Sequence, residues 1–348
     1  MIESKYFQMA VAAAKRGTDT WTNPQVGAVI VKDQQVLSVG YHHQYGQHHA
    51  EIDALAQLDD ISQAKGATMY VTLEPCSHYG KTPPCAKRLA EVGIARVIIG
   101  QLDPNPIVSG KGVAMLKSHG IKVDILDDSQ GLNRAYNYYY QHQRPLITLK
   151  YAMSLDGKIN GAQRKRTLLT ETAAQQDAQQ LRRQQQAILV GEHTLTIDDP
   201  RLTVRTSLPM AFPPIRAAVV HHVDDVDVNS HLFDQSAPTW FFSETMSARK
   251  LPENVHVFVK ANWTPAAVVQ SLANHGIQSL LVEGGSRLQA DFIAADLVDE
   301  LVVYVAPTIL GGDGLPAAVG QALSGPTHFE TPTISMLGPD IRIQTKRV

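Results

Sequence analysis

The hydrophobic positions in the first half of the chain follow strand-like and helix-like spacings in turn. Two apolar runs, 26–32 and 36–41, are separated by three polar residues, which is typical of a β-hairpin. The predicted elements are an N-terminal amphipathic helix ending at Gly17, strands at 26–32, 36–41, 67–73, 95–100 and 121–126, and helices at 49–58, 84–93 and 111–119. Helices that connect the later strands require parallel pairing. We therefore predict an α/β fold with a mixed sheet and helices on both faces.

A polar, tyrosine-rich segment separates this half from the second. Residues 130–143 (GLNRAYNYYYQHQR) predict a helix leading to Pro145, so we expect two domains, 1–145 and 146–348. The second half repeats the alternation of strands and helices. Its predicted elements are strands at 187–191, 215–220, 238–242, 279–285 and 300–307, and helices at 171–184, 264–275 and 287–295.

Composition narrows the class of protein. The chain has 348 residues, of which 44% are hydrophobic and 18% charged, as in ordinary globular domains. A formal net charge of −2 gives no overall positive field for nucleic acid. The first residues lack a signal-peptide pattern, and no apolar run approaches the ~18 residues of a membrane span. We expect a cytoplasmic protein with neither a nucleic-acid nor a membrane partner.

Candidate metal ligands lie in the first half. His49 and the two cysteines of the sequence, Cys76 and Cys85, could supply the three protein ligands of a catalytic zinc site. Glu51, two residues after His49, is placed to move protons beside the metal. Nucleobase deaminases use His-x-Glu followed by Pro-Cys-x-x-Cys, with the glutamate as acid and base. Here the cysteines are separated by eight residues, which indicates a different substrate loop.

Other interpretations of these residues exist. An isolated His-x-Glu is usually chance, and the two cysteines could form a buried pair or a disulfide. A structural zinc site would need a fourth ligand, which His48 or His78 could supply. Both half-motifs occur in order and on suitable elements, which favours the catalytic site.

The residues of the second half give less information about function than those of the first. Glu283-Gly284-Gly285 lies between a strand and a helix, where glycines let backbone N–H groups approach phosphate, although a tight turn explains them equally well. Arg182 and Arg205 are candidate phosphate ligands because a guanidinium matches phosphate geometry. A solvated surface role is the commoner one for a single arginine.

Longer motifs make the chain resemble the bacterial bifunctional riboflavin-biosynthesis deaminase–reductases. They extend over nearly the whole sequence: TNPQVG (22–27), GYH (40–42), HAE (49–51), TLEPCSHYGKTPPC (72–85), DPNP (103–106), LKYAMSLDGKI (149–159), ILVGEHTLTIDDPRLTVR (188–205), LVEGGSRL (281–288) and VDELVVYVAPTILG (298–311). The resemblance implies an N-terminal cytidine-deaminase-like domain and a C-terminal dihydrofolate-reductase-like α/β domain.

The same resemblance implies two successive reactions. The first domain, with one Zn²⁺ per chain, would deaminate 2,5-diamino-6-(5-phosphoribosylamino)pyrimidin-4-one. The second would use NADPH to reduce the ribose of the product to a ribityl chain, through hydride transfer to C1′ of a ring-opened imine. The resemblance also suggests a homo-oligomer, with a dimer favoured.

Site residues carry over from the resemblance position by position. The implied deaminase substrate contacts are Asn23, His42, Lys81, Thr82, Asp103 and Asn105. For Asn23 and Asn105, local turn chemistry beside Pro24 and Pro106 is the alternative. The implied reductase substrate contacts are Lys150, Arg166, Arg182, Asp199, Leu202, Arg205 and Glu283. The implied NADPH contacts are Ala152, Leu168, Thr194, Asp198, Gly285, Ser286, Arg287, Leu288, Gln289, Ala290 and Asp291.

One stretch departs from the family pattern. Residues 163–170 (QRKRTLLT) place Arg166 where a small polar residue is usual and Leu168 where an aromatic residue is usual. The three cations at 164–166 could strengthen phosphate binding or form a solvated loop. We expect reductase activity with altered Michaelis constants, which Arg166→Ser tests.

Two other classes of function compete with this one. One is a deaminase of another base or nucleotide whose C-terminal half is a binding module. The other is a catalytically silent, ligand-sensing protein. Lys81 and Thr82 between the cysteines favour a small phosphorylated nucleotide over a nucleic acid, and the complete set of His49, Glu51, Cys76 and Cys85 argues against a silent first domain.

Overall fold

The computed structural model describes residues 2–79, 83–161 and 167–348, except for the side chains of residues 2 and 3. The chain divides into two compact units, Met1–Gln143 (unit 1) and Arg144–Val348 (unit 2). Among the described residues, no helix is both long enough and apolar enough to cross a membrane.

Unit 1 contains a five-stranded sheet and the helices that pack on it. Its elements are α1 (Ile2–Ala14), β1 (Gly27–Lys32), β2 (Gln35–Tyr41), α2 (Ala50–Ala56), β3 (Thr68–Leu73), α3 (Cys85–Glu91), β4 (Arg96–Gln101), α4 (Lys111–Ser118), β5 (Lys122–Ile125) and α5 (Arg134–His142), with a 3₁₀ helix at Ile61–Ala64. The strand order is β2-β1-β3-β4-β5. β1 pairs antiparallel with β2 and β3, whereas β3, β4 and β5 run parallel. The predicted hairpin and mixed sheet are therefore confirmed.

Alternation along β1 explains why helices cover both faces of this sheet. Ala28 and Ile30 point into one core with α2, α3 and α4, while Val29 and Val31 point into another with α1. The fit between sheet and helix is close at Gly40 in β2. A Cβ atom there would lie 2.2 Å from the backbone nitrogen of Ala54, so only glycine allows α2 this near the sheet.

Unit 2 is built around a nine-stranded sheet. Its elements are β6 (Leu146–Ser154), β7 (Lys158–Asn160), α6 (Thr172–Arg183), β8 (Ala187–Gly191), α7 (Glu192–Asp198), β9 (Ile215–His222), β10 (Thr239–Thr245), β11 (Val255–Val259), α8 (Pro265–Asn274), β12 (Ser279–Val282), α9 (Ser286–Ala294), β13 (Glu300–Ala306), β14 (Leu315–Pro316), β15 (Thr333–Leu337) and β16 (Asp340–Lys346). The order is β11-β10-β9-β8-β12-β6-β13-β16-β15. The first seven strands are parallel, and the β15–β16 hairpin adds antiparallel at one edge.

Several predicted elements need correction. The strand predicted at 279–285 ends at Val282, and Gly285 is already the N-cap of α9. The helix predicted at 130–143 begins only at Arg134, since Asn133 has a left-handed backbone (φ 59°). The sequence analysis did not predict α7, β11 or the β15–β16 hairpin. β15 is exposed along most of its length and shows no buried face to mark it as a strand.

Candidate active sites

Three possible metal ligands of unit 1 meet at one point. His49, Cys76 and Cys85 each offer one ligand atom, and these atoms lie within 4.8 Å of one another. His49 Nδ1 lies 3.6 Å from Cys76 Sγ and 3.4 Å from Cys85 Sγ, so both thiols face the same ring nitrogen. One imidazole and two thiolates are a ligand set that catalytic zinc takes, with a fourth position left for water. The donor set therefore fits zinc.

Secondary structure explains how residues so far apart in sequence converge here. His49 is the N-cap of α2, Cys76 follows the end of β3, and Cys85 is the first residue of α3. The Cys85 backbone N–H donates to Cys76 Sγ at 3.3 Å. Unpaired N–H groups at the start of a helix favour negative charge, which suits thiolates. Neither cysteine is in a disulfide.

Glu51 lies in the first turn of α2 and is only 3% exposed. Burial raises the pKa of its carboxyl to about 7, against the effect of His49. A carboxyl with a pKa near neutrality can both take and give protons. The hydrogen bond from Cys85 lowers the pKa of the Cys76 thiol to about 4, and the hydrogen bond with Cys76 raises the pKa of His49 to about 9. Cys76 and His49 therefore form a thiolate–imidazolium pair, while the hydrogen bond with Cys76 raises the pKa of the Cys85 thiol. A divalent cation bound here would stabilise both sulfurs as thiolates.

His42 is 2% exposed, and both of its ring nitrogens are engaged. Asn23 Nδ2 donates to His42 Nε2 at 3.1 Å, which leaves Nδ1 to donate to the His48 carbonyl at 2.9 Å. Burial lowers the pKa of His42 and so favours this neutral ring. The ring therefore fixes Asn23 and the backbone next to His49, while the substrate contact implied for His42 stays a prediction.

Glu74, which the sequence analysis did not single out, fixes the loop before Cys76. Its buried carboxylate accepts N–H bonds from Gly110 at 2.9 Å and Val113 at 3.0 Å, at the start of α4. A Cβ atom at Gly112 would lie 2.0 Å from the Pro75 carbonyl oxygen. The close approach anchors the loop on α4. The available sequence signal was an acidic residue two positions before a candidate ligand.

Asp103 and Asn105 lie on the loop after β4. Asp103 is 6% exposed, and its Oδ1 accepts the Asn105 N–H and the Tyr136 hydroxyl, both at 2.9 Å. Burial raises the pKa of Asp103, and these two hydrogen bonds oppose the rise. Asn105 Oδ1 also accepts the Ile107 N–H at 3.0 Å, so the turn role that the sequence allowed is present. Lys81, Thr82 and Arg166 lie outside the described residues.

A second candidate site in unit 2 joins a carboxylate to two cations. Glu283 follows β12, Lys150 lies in the neighbouring β6, and Arg182 lies in the last turn of α6. Arg182 Nε lies 3.0 Å from Glu283 Oε1, and Lys150 Nζ lies 3.9 Å from the same oxygen. The Glu283 side chain is 5% exposed. Burial alone would raise the pKa of Glu283, but Lys150 and Arg182 lower it to about 2.

The other reductase substrate contacts implied by the resemblance differ in exposure. Asp199 ends α7 with a left-handed backbone (φ 36°), and its Oδ1 accepts the Ser230 hydroxyl at 2.7 Å and the His231 N–H at 3.0 Å. Leu202 is 1% exposed within the core, so a ligand would meet its backbone rather than its side chain. Arg205 is exposed. These roles stay predictions.

The cofactor contacts implied by the resemblance centre on the start of α9. Gly285 is its N-cap, and a Cβ atom there would lie 2.9 Å from Thr194 Oγ1, so glycine lets α7 and α9 approach closely. Unpaired N–H groups at this helix start fit a cofactor phosphate. The remaining candidates fall into three sets: Ser286, Gln289 and Ala290 are buried, Ala152, Asp198 and Leu288 are half-buried, and Leu168, Arg287 and Asp291 are exposed.

Sequence reasoning missed a polar network beside Lys150. The Lys150 ammonium lies 5.7 Å from the centre of the Tyr304 ring, within the range of a cation–π contact. The Tyr304 hydroxyl donates to Asp177 Oδ2 at 2.6 Å, and Arg342 Nε donates to the same oxygen at 2.8 Å. The run 298–311 contained Tyr304, but its apolar neighbours indicated only a buried strand.

Comparison with known proteins finds a family match for each unit. The family model for the cytidine and deoxycytidylate deaminase zinc-binding region matches residues 1–101, and the model for the RibD C-terminal domain matches residues 145–343. The riboflavin biosynthesis protein RibD of Bacillus amyloliquefaciens is 39% identical over 358 residues, with 98% of this chain and 95% of that protein covered.

Solved structures show the same architecture over the whole chain. A RibD structure from Acinetobacter baumannii has a TM-score of 0.90 and 32% identity, covering 100% of this chain and 99% of that one. A diaminohydroxyphosphoribosylaminopyrimidine deaminase/5-amino-6-(5-phosphoribosylamino)uracil reductase from Thermotoga maritima has a TM-score of 0.89 and 30% identity, with coverages of 100% and 99%. The chain belongs to the RibD family of bifunctional riboflavin biosynthesis proteins, with a cytidine-deaminase-like domain followed by a reductase-like domain.

Proposed function

We propose that unit 1 hydrolyses the ring amino group of 2,5-diamino-6-(5-phosphoribosylamino)pyrimidin-4-one, and that unit 2 then reduces the ribose of the resulting 5-amino-6-(5-phosphoribosylamino)uracil. The observation that carries the proposal is the convergence of His49, Cys76 and Cys85 beside the buried Glu51. The family membership and the name of the Thermotoga maritima structure support the choice of substrate.

In the deamination, His49, Cys76 and Cys85 hold the metal and Glu51 moves the protons. Zinc, when bound, supplies a water whose pKa is lowered to about 7. Glu51 takes a proton from the attacking water and gives it to the leaving amino group. Ammonia departs, and a carbonyl oxygen from water replaces the amine on the ring. Asn23, Asp103 and Asn105 are the proposed contacts to the pyrimidine, and Lys81 and Thr82 to the ribose phosphate.

In the reduction, unit 2 binds and orients an anionic substrate. NADPH, when bound, supplies the hydride that reaches C1′ of the ring-opened imine, while the imine nitrogen gains a proton. Lys150 and Arg182 carry two positive charges against the single negative charge of Glu283, and this excess suits a phosphorylated substrate. The start of α9 is the proposed binding site for a cofactor phosphate.

The variant Glu51→Gln tests the proton role. It keeps the shape of the side chain but cannot accept a proton, so ammonia release should fall about 100- to 10,000-fold. Zinc content should stay near one per chain, and NADPH oxidation with the deaminated substrate should persist. Glu91→Gln, at an exposed acid on α3, is the matched control and should behave as wild type. Loss of zinc from Glu51→Gln would instead make Glu51 a ligand.

Mass spectrometry of the products tests the order of reactions. Without NADPH the substrate should yield only the aminouracil, and with NADPH a product with two more hydrogens. Absence of NADPH oxidation by the wild-type protein with the aminouracil would contradict the second activity.

We further propose a cytoplasmic location, a homo-oligomer with a dimer favoured, and a functional boundary near residue 145. The two cysteines, free and arranged as metal ligands, support a reducing compartment. The division of contacts between Gln143 and Arg144 supports the boundary. Light scattering of the purified protein would measure the oligomeric state.

A further inference from the structure

One face of α5 carries polar side chains at helical spacing. Asn133 is the N-cap of the helix, and Tyr136, Asn137 and Tyr140 lie three, four and seven residues after it. This spacing brings the four residues to the same side of the helix. This set is called the α5 polar face below. Each of the four hydrogen-bonds to a loop or strand end elsewhere in unit 1, whereas a polar linker helix would present such groups to solvent.

Asn133 holds the loop that carries Asn23. Its Oδ1 accepts the backbone N–H of Gln25 at 2.7 Å, and its Nδ2 donates to the Gln25 carbonyl at 2.8 Å. The side chain therefore pairs with Gln25 as a neighbouring strand would. Gln25 lies two residues after Asn23, whose amide contacts His42 beside the metal ligands.

Tyr136 holds the side chain of Asp103. The tyrosine is 7% exposed, and its hydroxyl donates to Asp103 Oδ1 at 2.9 Å, beside the Asn105 N–H on the same oxygen. No described residue donates to the other oxygen, Oδ2. Two donors on Oδ1 thus set the orientation of the carboxylate and leave Oδ2 for N–H groups of a ligand.

The other two residues of the face hold the end of β4 and the loop that follows it. Asn105 Nδ2 donates to the Tyr140 hydroxyl at 3.2 Å. Gln101 and Asn137 exchange amide hydrogen bonds at 3.0 and 3.3 Å where β4 ends. The rings of Tyr136 and Tyr140 pack edge to face, with centroids 4.8 Å apart, which keeps the two hydroxyls in register.

We propose that the α5 polar face is part of the deaminase and positions its pyrimidine-binding residues Asn23, Asp103 and Asn105. The inference rests on the proposed function of unit 1. Neither family match includes α5, since the zinc-binding region covers residues 1–101 and the RibD C-terminal domain covers 145–343. The four residues act through others and are positioning residues.

This role predicts weaker substrate binding without a loss of chemistry. The metal ligands and Glu51 lie on other elements, so removal of one hydrogen bond from the face leaves them in place. The Tyr136 hydroxyl opposes the effect of burial on the Asp103 carboxyl, so its loss makes Asp103 a poorer acceptor as well as a more mobile one.

The experiment compares Tyr136→Phe with Tyr6→Phe in the full-length zinc-loaded protein. Tyr6 is also a buried tyrosine of unit 1, 6% exposed, but its hydroxyl donates to the Gln34 carbonyl at 2.6 Å, in the turn between β1 and β2. With the phosphoribosylated diaminopyrimidine, Tyr136→Phe should raise KM for ammonia release about tenfold, with a much smaller change in kcat. Tyr6→Phe should keep the wild-type KM. Zinc content should stay near one per chain in both.

Asn133→Gly provides an independent test. Glycine readily adopts the left-handed backbone found at position 133, so the helix start is kept while the pairing with Gln25 is lost. This variant should also raise KM, by about fivefold.

Three outcomes would overturn the inference. If both variants keep the wild-type KM, the face does not position the site. A fall in kcat or zinc content at unchanged KM would show a purely structural role. Absence of ammonia release by zinc-loaded wild-type protein would overturn the proposed function itself, and this inference with it.

Discussion

The two candidate sites neutralise their charges in opposite ways. In unit 1, two thiols and the buried Glu51 lie around a single imidazole. A divalent cation from outside the protein would balance the negative charge of two thiolates and the carboxylate. In unit 2, the buried Glu283 is already paired with Lys150 and Arg182 from the protein itself. The first site therefore depends on a ligand for its integrity, whereas the second is assembled before any ligand arrives.

This difference decides what a single substitution does. Removal of a metal ligand should abolish zinc binding and the reaction, while the fold outside the site should change little. Removal of one member of a buried ion pair leaves an uncompensated charge and destabilises the folded state. Activity is the sensitive measurement for unit 1, and stability is the sensitive measurement for unit 2.

The largest effect is expected from Cys76→Ser. Loss of one of three ligands should reduce bound zinc well below one per chain and lower ammonia release by about three orders of magnitude or more. NADPH oxidation with the aminouracil should remain near the wild-type rate. Metal analysis and both assays on the same preparation would measure this. Full zinc content with normal ammonia release would remove Cys76 from the ligand set.

A medium effect on stability is expected from Glu283→Gln, and it should depend on pH. The shift from 4.5 to about 2 in the folded protein corresponds to about 3 kcal/mol at neutral pH. Because the pKa is lowered on folding, this contribution is present above pH ~4.5 and disappears as pH falls towards 2. The difference in unfolding free energy between wild type and variant should shrink over the same range.

Urea unfolding followed by tryptophan fluorescence would measure that difference, since Trp240 and Trp263 lie in unit 2. Glu253→Gln, at an exposed acid of the same unit, is the control and should match wild type at every pH. A difference for Glu283→Gln that is small, or constant from pH 7 to 3, would contradict internal charge compensation.

The smallest effect is expected from Tyr304→Phe. The substitution removes the hydroxyl that donates to Asp177 but keeps the ring beside Lys150, and Asp177 retains Arg342 as a partner. Unfolding free energy should fall by about 1 kcal/mol, with ammonia release unchanged. A large drop in NADPH oxidation at unchanged stability would instead place the Tyr304 hydroxyl in the reaction.

The residues alone indicated most of the metal site of unit 1 but little of the charged site of unit 2. Histidine and cysteine in a His-x-Glu and Pro-Cys context are rare enough to indicate zinc chemistry without any relative. Lys150, Arg182 and Glu283 are common residue types, separated by 32 and 101 positions. The residues alone indicated a phosphate contact for Arg182, and only the family resemblance added Lys150 and Glu283. Their meeting depends on the parallel pairing of β6 with β12, which no local pattern reports.

Fold elements were predictable where burial imposes a period. The helices of unit 1 show periodic patterns because each buries one defined face, whereas β1 is a continuous apolar run because both of its faces are buried. α7 was missed because EHTLTID is short and rich in β-branched residues, which weaken helix signals. The α5 polar face was visible as tyrosines and asparagines, but its hydrogen-bond partners lie up to 108 positions away in the chain.

The end of α5 also sets where the gene can be divided into two separately expressed enzymes. A first fragment has to include His142 to keep the helix whole, and a second has to include Arg144, whose guanidinium makes two 2.7 Å bonds to Asp299. Gln143 lies between them, exposed and with a left-handed backbone. A chain cut that leaves both units intact therefore has to fall next to Gln143. This position lies well beyond residue 101, where the match to the deaminase zinc-binding region ends.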